Sequence, residues 1–462
     1  MSELLKYIRD NKDRHLEQMK ECLRIESISA IPSKEPDIRK CGEWLVELLK
    51  SIGFENASLK ETGGLPAVYA DWLHAGKDMP TIMCYGHYDV QPVDPIEKWR
   101  TPPFEPTIKE GYIYGRGTCD DKCQFLAHIF ALEALMKTDG KLPVSVKVFL
   151  ESEEEGGTGS THRFVQKNTD LLSCDAVVLS DTAWFSHDLP TMIYSLRGIA
   201  YFEVKVIGPN RDLHSGQYGG MVQNTLNAMA RIIAKLHDDD GRIAIPGIYD
   251  DVQPISKDER AEFAKVSEPD EKTMKELGVD ALWGEKGFTS NERNWARPAL
   301  DVNGIWGGYM AEGSKTVIAH EGGFKISMRL VPDQKIKRVH KLLDDYIQKI
   351  CPQGVRAEVK LLHGGEPVMV STDNPFIACA QDAMEKAFKK RPVLVREGAS
   401  VPITAEFQSA LNAAPIMMGF GLIDDDIHSP NERFKLDHFY KGIEACAHFY
   451  SEAAAMKAKR LL

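Results

Sequence analysis

Short apolar runs at 80–87, 144–150 and 176–180 are separated by longer stretches of helical periodicity, such as 122–136. A strand that returns to lie parallel to its neighbour needs a crossover connection, and helices of this length supply it. The chain up to 193 therefore reads as α/β with a mostly parallel sheet. Within it, Ile38, Cys41, Leu45, Leu48, Leu49 and Ile52 recur at helical spacing before Gly53, a helix stop. From Met192 the pattern changes to alternation, with Phe202, Val204 and Val206 opposed to Tyr201, Glu203 and Lys205. A helix over 224–236, an irregular charged stretch over 238–297, strands near 316–331, a helix over 334–350 and a strand over 356–361 follow. The order β-α-β-β-α-β is the split βαβ plan of ferredoxin-like domains. Helices over 375–389 and 437–455, around an apolar strand at 414–420, then return to the first pattern. The expected architecture is a discontinuous α/β domain, 1–193 and 381–462, interrupted by an inserted ferredoxin-like α+β domain, 194–380.

The chain's 462 residues leave room for such a pair. Its 57 Lys and Arg face 68 Asp and Glu, a net charge of −11. Such a surface repels a phosphate backbone and an anionic bilayer, so neither nucleic acid nor membrane is an expected partner. Charged residues Glu3, Lys6, Arg9 and Asp10 interrupt the first segment, and no run approaches the roughly 18–20 apolar residues of a membrane span. A soluble, cytoplasmic protein is expected. The nine cysteines, an odd number without C-x-x-C spacing, read as reduced thiols.

The acids are placed with more order than solubility requires. Gly86-His87-Tyr88-Asp89-Val90 closes one apolar run, and strand alternation points His87 and Asp89 the same way. Glu151-Ser152-Glu153-Glu154-Glu155-Gly156-Gly157 and Ser180-Asp181 close two others, at the strand ends where open α/β sheets hold their ligands. Gly115-Arg116-Gly117-Thr118-Cys119-Asp120-Asp121-Lys122 places paired acids just before a helix, and His428-Ser429-Pro430-Asn431-Glu432 follows Asp424-Asp425-Asp426. Taken singly, each has an ordinary reading as a helix cap or a solvated loop. Converging acids repel one another unless a cation neutralises them, and mixed carboxylate and imidazole ligands suit zinc or manganese. The number of groups suggests two ions, which together polarise a carbonyl and bring a bridging water's pKa to about 7, with one carboxylate moving its proton.

In combination these motifs resemble the co-catalytic metallopeptidases that include acetylornithine deacetylase, succinyl-diaminopimelate desuccinylase and carnosinase. Asp212-Leu213-His214-Ser215-Gly216, Ile245-Pro246-Gly247-Ile248, Arg329-Leu330-Val331-Pro332 and Arg396-Glu397-Gly398 narrow the resemblance to the cytosolic non-specific dipeptidase and carnosinase subgroup. The resemblance implies two divalent ions, zinc or manganese: His87 and Asp181 on one, Glu155 and His428 on the other, Asp120 bridging. It implies that Asp89 orients His87, that Glu154 is the general base acting on a metal-bridged hydroxide, and that the Asp120–Asp121 peptide is cis. The inserted domain becomes a lid and dimerisation domain, with His214 and Thr316 reaching the partner subunit's site in a homodimer. Arg329 grips the free carboxylate of a dipeptide substrate, and His363 and Ser400 complete the pocket. Strand alternation independently places Arg329 with Lys325 and Ser327, away from the apolar face. Ala399 stands where the subgroup commonly has glycine, which bears on side-chain preference. The implied activity is dipeptide hydrolysis; an N-acyl amino acid amidohydrolase uses the same chemistry and is the alternative.

Overall fold

The computed structural model describes residues 2–157 and 159–460, so the expected domain limits 1 and 462 lie outside the described residues. The chain forms two compact units: Met1–Tyr194 with Val370–Leu394 and Glu406–Leu462, and Ser195–Met369 with Val395–Ala405. Position 380, the second boundary expected from sequence, falls inside the helix Pro375–Phe388 of the first unit.

The first unit is built on a mixed sheet. Its strands lie in the order Glu55–Lys60, Ala67–Trp72, Ser145–Glu151, Thr81–His87, Ala176–Leu179, Ala414–Met417 and Thr191–Leu196. From Ser145–Glu151 to Ala414–Met417 the neighbours are parallel; the flanking pairs are antiparallel. Central parallel strands are covered on both faces, which is why Ser145–Glu151 and Ala176–Leu179 are buried along their whole length and read as apolar runs, the first interrupted only by Lys147 between its polar ends. The crossover helix Lys122–Asp139 packs against both Thr81–His87 and the helix Leu436–Arg460. It is buried on nearly every side, so it carries no polar stripe, and Gly140 ends it in the left-handed region at φ 68°.

The second unit has a four-stranded antiparallel sheet in the order Ala299–Gly307, Glu321–Leu330, Gly198–Ile207, Arg356–Gly365. With helices Thr225–Ala234 and Ile336–Ile350 it completes the β-α-β-β-α-β order. Ala200, Phe202, Val204, Ile326 and Met328 meet Met229, Ile232, Leu343 and Ile347 in one core. Apart from Ala200, each such side chain contributes about 1.5–3 kcal/mol by leaving water. Asn224 caps its helix by accepting from Leu226 N and Asn227 N.

The stretch 238–297, expected to be irregular, contains helices Lys257–Val266, Asp270–Leu277 and Ser290–Ala296, the first and last opened by capping boxes at Ser256 and Thr289. These helices are short and charged, so they lack the long apolar stripe that periodicity detects. The edge strand Ala299–Gly307 was also missing from the sequence reading. A register shift between Val302 and Gly304 breaks its alternation, and most of it is only partly covered. Among the described residues no helix is long and apolar enough to cross a membrane.

Candidate metal centre

Three adjacent parallel strands deliver their last residues to one edge of the first unit's sheet. Thr81–His87 ends on His87, Ser145–Glu151 leads into Glu154 and Glu155, and Ala176–Leu179 leads into Asp181. The peptide between Asp120 and Asp121, just before the crossover helix, is cis, as the resemblance implied. His87 Nε2 lies 2.8 Å from Asp120 Oδ1 and 3.8 Å from Asp181 Oδ2. The other oxygen of Asp120 lies 2.9 Å from His428 Nε2, which is 3.1 Å from Glu155 Oε1. His87, Asp120 and Asp181 form one group and Asp120, Glu155 and His428 a second, in each of which one ligand atom per residue lies within 4.8 Å of the others. Asp120 belongs to both.

The electrostatics of this cluster are those of a cage for cations. Burial raises Asp181 to about 7, with the charge of Asp120 adding to the effect. Burial also raises Glu155, against the hydrogen bond from His428. For His87 burial opposes the charged ring, but Asp120 and Asp89 outweigh it and push the imidazole well above its usual range. His428 is raised to about 10, first by its hydrogen bonds to Asp120 and Glu155. In the absence of a cation, protons must do the neutralising. The donor set, two imidazoles and three carboxylates with one shared, fits two divalent ions.

The acid run after Ser145–Glu151 sorts into separate roles. Glu151 accepts the Tyr85 hydroxyl at 2.5 Å. Glu153 accepts from Ser160 Oγ. Glu155 enters the second group and also accepts from Gln91 Nε2 at 2.6 Å. Glu154 has no hydrogen-bond or ion-pair partner among the described residues, and burial, with the charges of Asp181 and Glu155, raises its carboxyl well above the usual range despite His87. Asp89 holds His87 chiefly through its backbone: its carbonyl lies 3.1 Å from His87 Nδ1, its carboxylate 3.4 Å. The other carboxylate oxygen of Asp89 accepts Glu155 N at 3.1 Å.

In the second unit, His214 and Thr316 come together on the small ladder that pairs His214 with Val317, where Ser215 N donates to Thr316 O at 3.0 Å. Both residues are exposed. Arg329 lies on the open face of the four-stranded sheet, pairing with Ile199, and its Nη1 donates to Ser400 Oγ at 3.1 Å. His363 stacks on Tyr201, ring centroids 5.0 Å apart, from the same face.

Residues 83–452 match the family described as Peptidase family M20/M25/M40. The chain belongs to this peptidase family. Cys-Gly metallodipeptidase DUG1 of Candida albicans is 29% identical over 96% of this chain and 96% of its own. Beta-Ala-His dipeptidase of Homo sapiens is 28% identical over 99% of this chain and 93% of its own. The solved M20 family metallo-carboxypeptidase Sso-CP2 from Sulfolobus solfataricus is 31% identical, covers 96% of this chain and 99% of its own, and has a TM-score of 0.82.

One residue of this M20 chain had no role in the sequence reading. The buried carboxylate of Glu432 accepts Arg116 Nη1 at 2.7 Å, Gly117 N at 3.0 Å, Cys119 N at 2.8 Å and Asp120 N at 3.1 Å. It ties the loop that carries Asp120 to the segment that carries His428. Its only sequence signal was an acid at the end of the His428 motif, where a solvated acid is the commoner case.

Proposed function

We propose that this M20 family protein hydrolyses dipeptides bearing a free C-terminal carboxylate. The observation that carries the reading is the pair of ligand groups joined by Asp120, with the unpartnered carboxyl of Glu154 close enough to feel their charge. Two of the relatives above are named as dipeptidases, which supports the substrate class.

In this reading His87 and Asp181 hold one divalent ion, Glu155 and His428 the other, and Asp120 both; zinc and manganese suit these ligands about equally. When bound, the two ions supply Lewis acidity toward the peptide carbonyl and lower the pKa of a water. Glu154 takes the proton from that water and returns it to the leaving amine. Asp89 fixes the ring of His87, chiefly through its carbonyl. Arg329, with Ser400 beside it, binds the substrate carboxylate, and His363 lines the pocket. The second unit, Ser195–Met369 with Val395–Ala405, acts as lid and dimerisation domain, and in a homodimer His214 and Thr316 serve the partner's site, His214 donating to the oxyanion.

A second reading has a specific observation behind it, since Sso-CP2 is a metallo-carboxypeptidase. A metal analysis followed by a panel of Cys-Gly, β-Ala-His, tripeptides, N-blocked dipeptides and N-acyl amino acids separates the readings. Dipeptidase activity predicts turnover confined to free dipeptides. Equal turnover of tripeptides and N-blocked dipeptides makes it a carboxypeptidase, and turnover of N-acyl amino acids alone makes it an amidohydrolase. No turnover after metal reconstitution refutes all of these.

A further inference from the structure

The second unit contains a cavity of 420 Å³ whose walls include Arg197, Arg293, Asn294, Trp283 and Asp301. That volume is in the range of small-molecule sites, about 300–1,000 Å³. Its charges are unusual. Arg197 is 8% exposed, yet its guanidinium meets only neutral acceptors: Gly398 O at 3.0 Å, Asn294 Oδ1 at 2.9 Å and Arg297 O at 3.4 Å. Arg293 donates from Nε to Glu285 O at 2.9 Å. Neither arginine has a carboxylate within 4.0 Å among the described residues, whereas Arg297, on the same wall, is paired to Glu285 at 2.7 Å. Arg293 is half-buried, but an arginine as deeply buried as Arg197 is nearly always paired. Burial lowers Arg197 to about 10, which leaves it charged at neutral pH.

The wall also holds an anion without a cation. Asp301 is exposed on the edge strand Ala299–Gly307 and has no ion-pair partner among the described residues, although its charge acts on Arg197, His237 and Arg329. His237 is lowered by burial and so stays neutral at neutral pH. Two unpaired guanidiniums and one unpaired carboxylate around a space of this size complement a molecule with carboxylate and ammonium groups on a short frame. Trp283, 68% exposed, gives that frame an apolar surface.

We propose that this cavity binds a free α-amino acid, its carboxylate on Arg293 and Arg197 and its ammonium on Asp301. Arg329 and Ser400 do not line the cavity, although Arg329 lies close enough for its charge to act on Arg197 and to feel that of Asp301. The cavity is also linked to them through Ser400, whose Oγ donates to the carbonyl of Arg197. No bond is made or broken, and the proposal stands whether or not the metal centre cleaves dipeptides.

The test is calorimetric titration of the metal-loaded protein with alanine and, separately, with acetate, for the wild type, Arg293→Gln and Asp301→Asn, each with and without Arg329→Gln. Alanine is expected to bind the wild type at least tenfold more tightly than acetate. Arg293→Gln should weaken both probes tenfold or more and Asp301→Asn should bring alanine down to the level of acetate, in the wild-type and the Arg329→Gln background alike. Asp301 lies on an exposed strand, so its variant remains informative if Arg293→Gln fails to fold. The proposal is overturned if the wild type does not bind alanine or if acetate binds as tightly. It is equally overturned if neither cavity variant weakens alanine binding, or if both lose their effect in the Arg329→Gln background.

Discussion

The groups of the first unit's metal centre and the substrate contacts assigned to the second unit are built on opposite principles. At the candidate metal centre, three carboxylates and two imidazoles converge from strand ends and two loops, and burial displaces two of the acids toward their protonated forms, Asp181 to about 7 and Glu155 upward, while against its burial the imidazoles of His428 and His87 hold the shared Asp120 ionised. In the second unit, His214 and Thr316 stand exposed and Arg329 is paired only with the neutral Ser400. The first arrangement stores unfavourable charge that a cation relieves. The second presents single donors with no built-in acceptor of opposite charge, so each acquires its partner from outside. A preformed cage and a set of open donors should respond differently to substitution.

The largest effect belongs to Glu154. Glu154→Gln removes the proton carrier and leaves all five proposed ligands, so kcat should fall by about 10²- to 10⁴-fold while elemental analysis finds the same metal content. Retained activity would refute the role given to Glu154; lost metal would move that residue into the cage.

His214→Ala comes next, with a loss of about 10²-fold if the imidazole donates to the oxyanion. Because the donor is assigned to the partner's site, mixing His214→Ala with Glu154→Gln should regain activity in mixed dimers, where one site keeps both groups. Mixed dimers that regain none would show that His214 serves its own subunit. Arg329→Gln should cost about 1.5–3 kcal/mol, or roughly 10- to 150-fold in kcat/KM, chiefly through KM. C-terminally amidated dipeptides, lacking the carboxylate, should show almost no difference between variant and wild type. An equal loss on amidated substrates would make Arg329 a structural residue.

The same contrast explains what could be read from the sequence. Part of the cage was legible because His87, Glu155 and Asp181 follow apolar runs, where motif and strand end coincide, whereas Asp120 and His428, on loops, joined the ligand set only through the family resemblance. Arg329 was legible from its strand, since alternation put it opposite Phe324, Ile326 and Met328. The edge strand Ala299–Gly307 was not, because its register shift and exposure erase the period of two. Nor was Glu432, whose value lies in four donors from 116–120, more than 300 positions away. Long-range convergence on a single carboxylate leaves no local pattern. The second boundary was hidden likewise: Val395–Ala405 joins the second unit through tertiary contacts such as that of Arg197 with Gly398.

The smallest effect is thermodynamic and belongs to the cage alone. Burial holds Asp181 at about 7 in the folded, metal-free chain, against an ordinary carboxyl value of 3.8 once unfolded. A group raised in this way contributes its stability in full below the unfolded value and loses it as pH rises toward the folded one, at about 1.4 kcal/mol per pH unit. Glu154 and Glu155, raised by burial as well, act in the same direction. Bound cations favour the ionised carboxylates, so they remove this loss and stabilise the protein most where the acids would otherwise be forced to ionise. The gap in melting temperature between metal-loaded and chelated protein should therefore widen between about pH 5 and about pH 7.5. At roughly 2–4 °C per kcal/mol for units of this size, a widening of several degrees is expected. Asp181→Asn should reduce it, and Arg329→Gln, which touches no member of the cage, should leave it intact. A gap of equal size at both pH values would mean that the acids are not strained by their burial, and the contrast between cage and open donors would fail on the side of the cage.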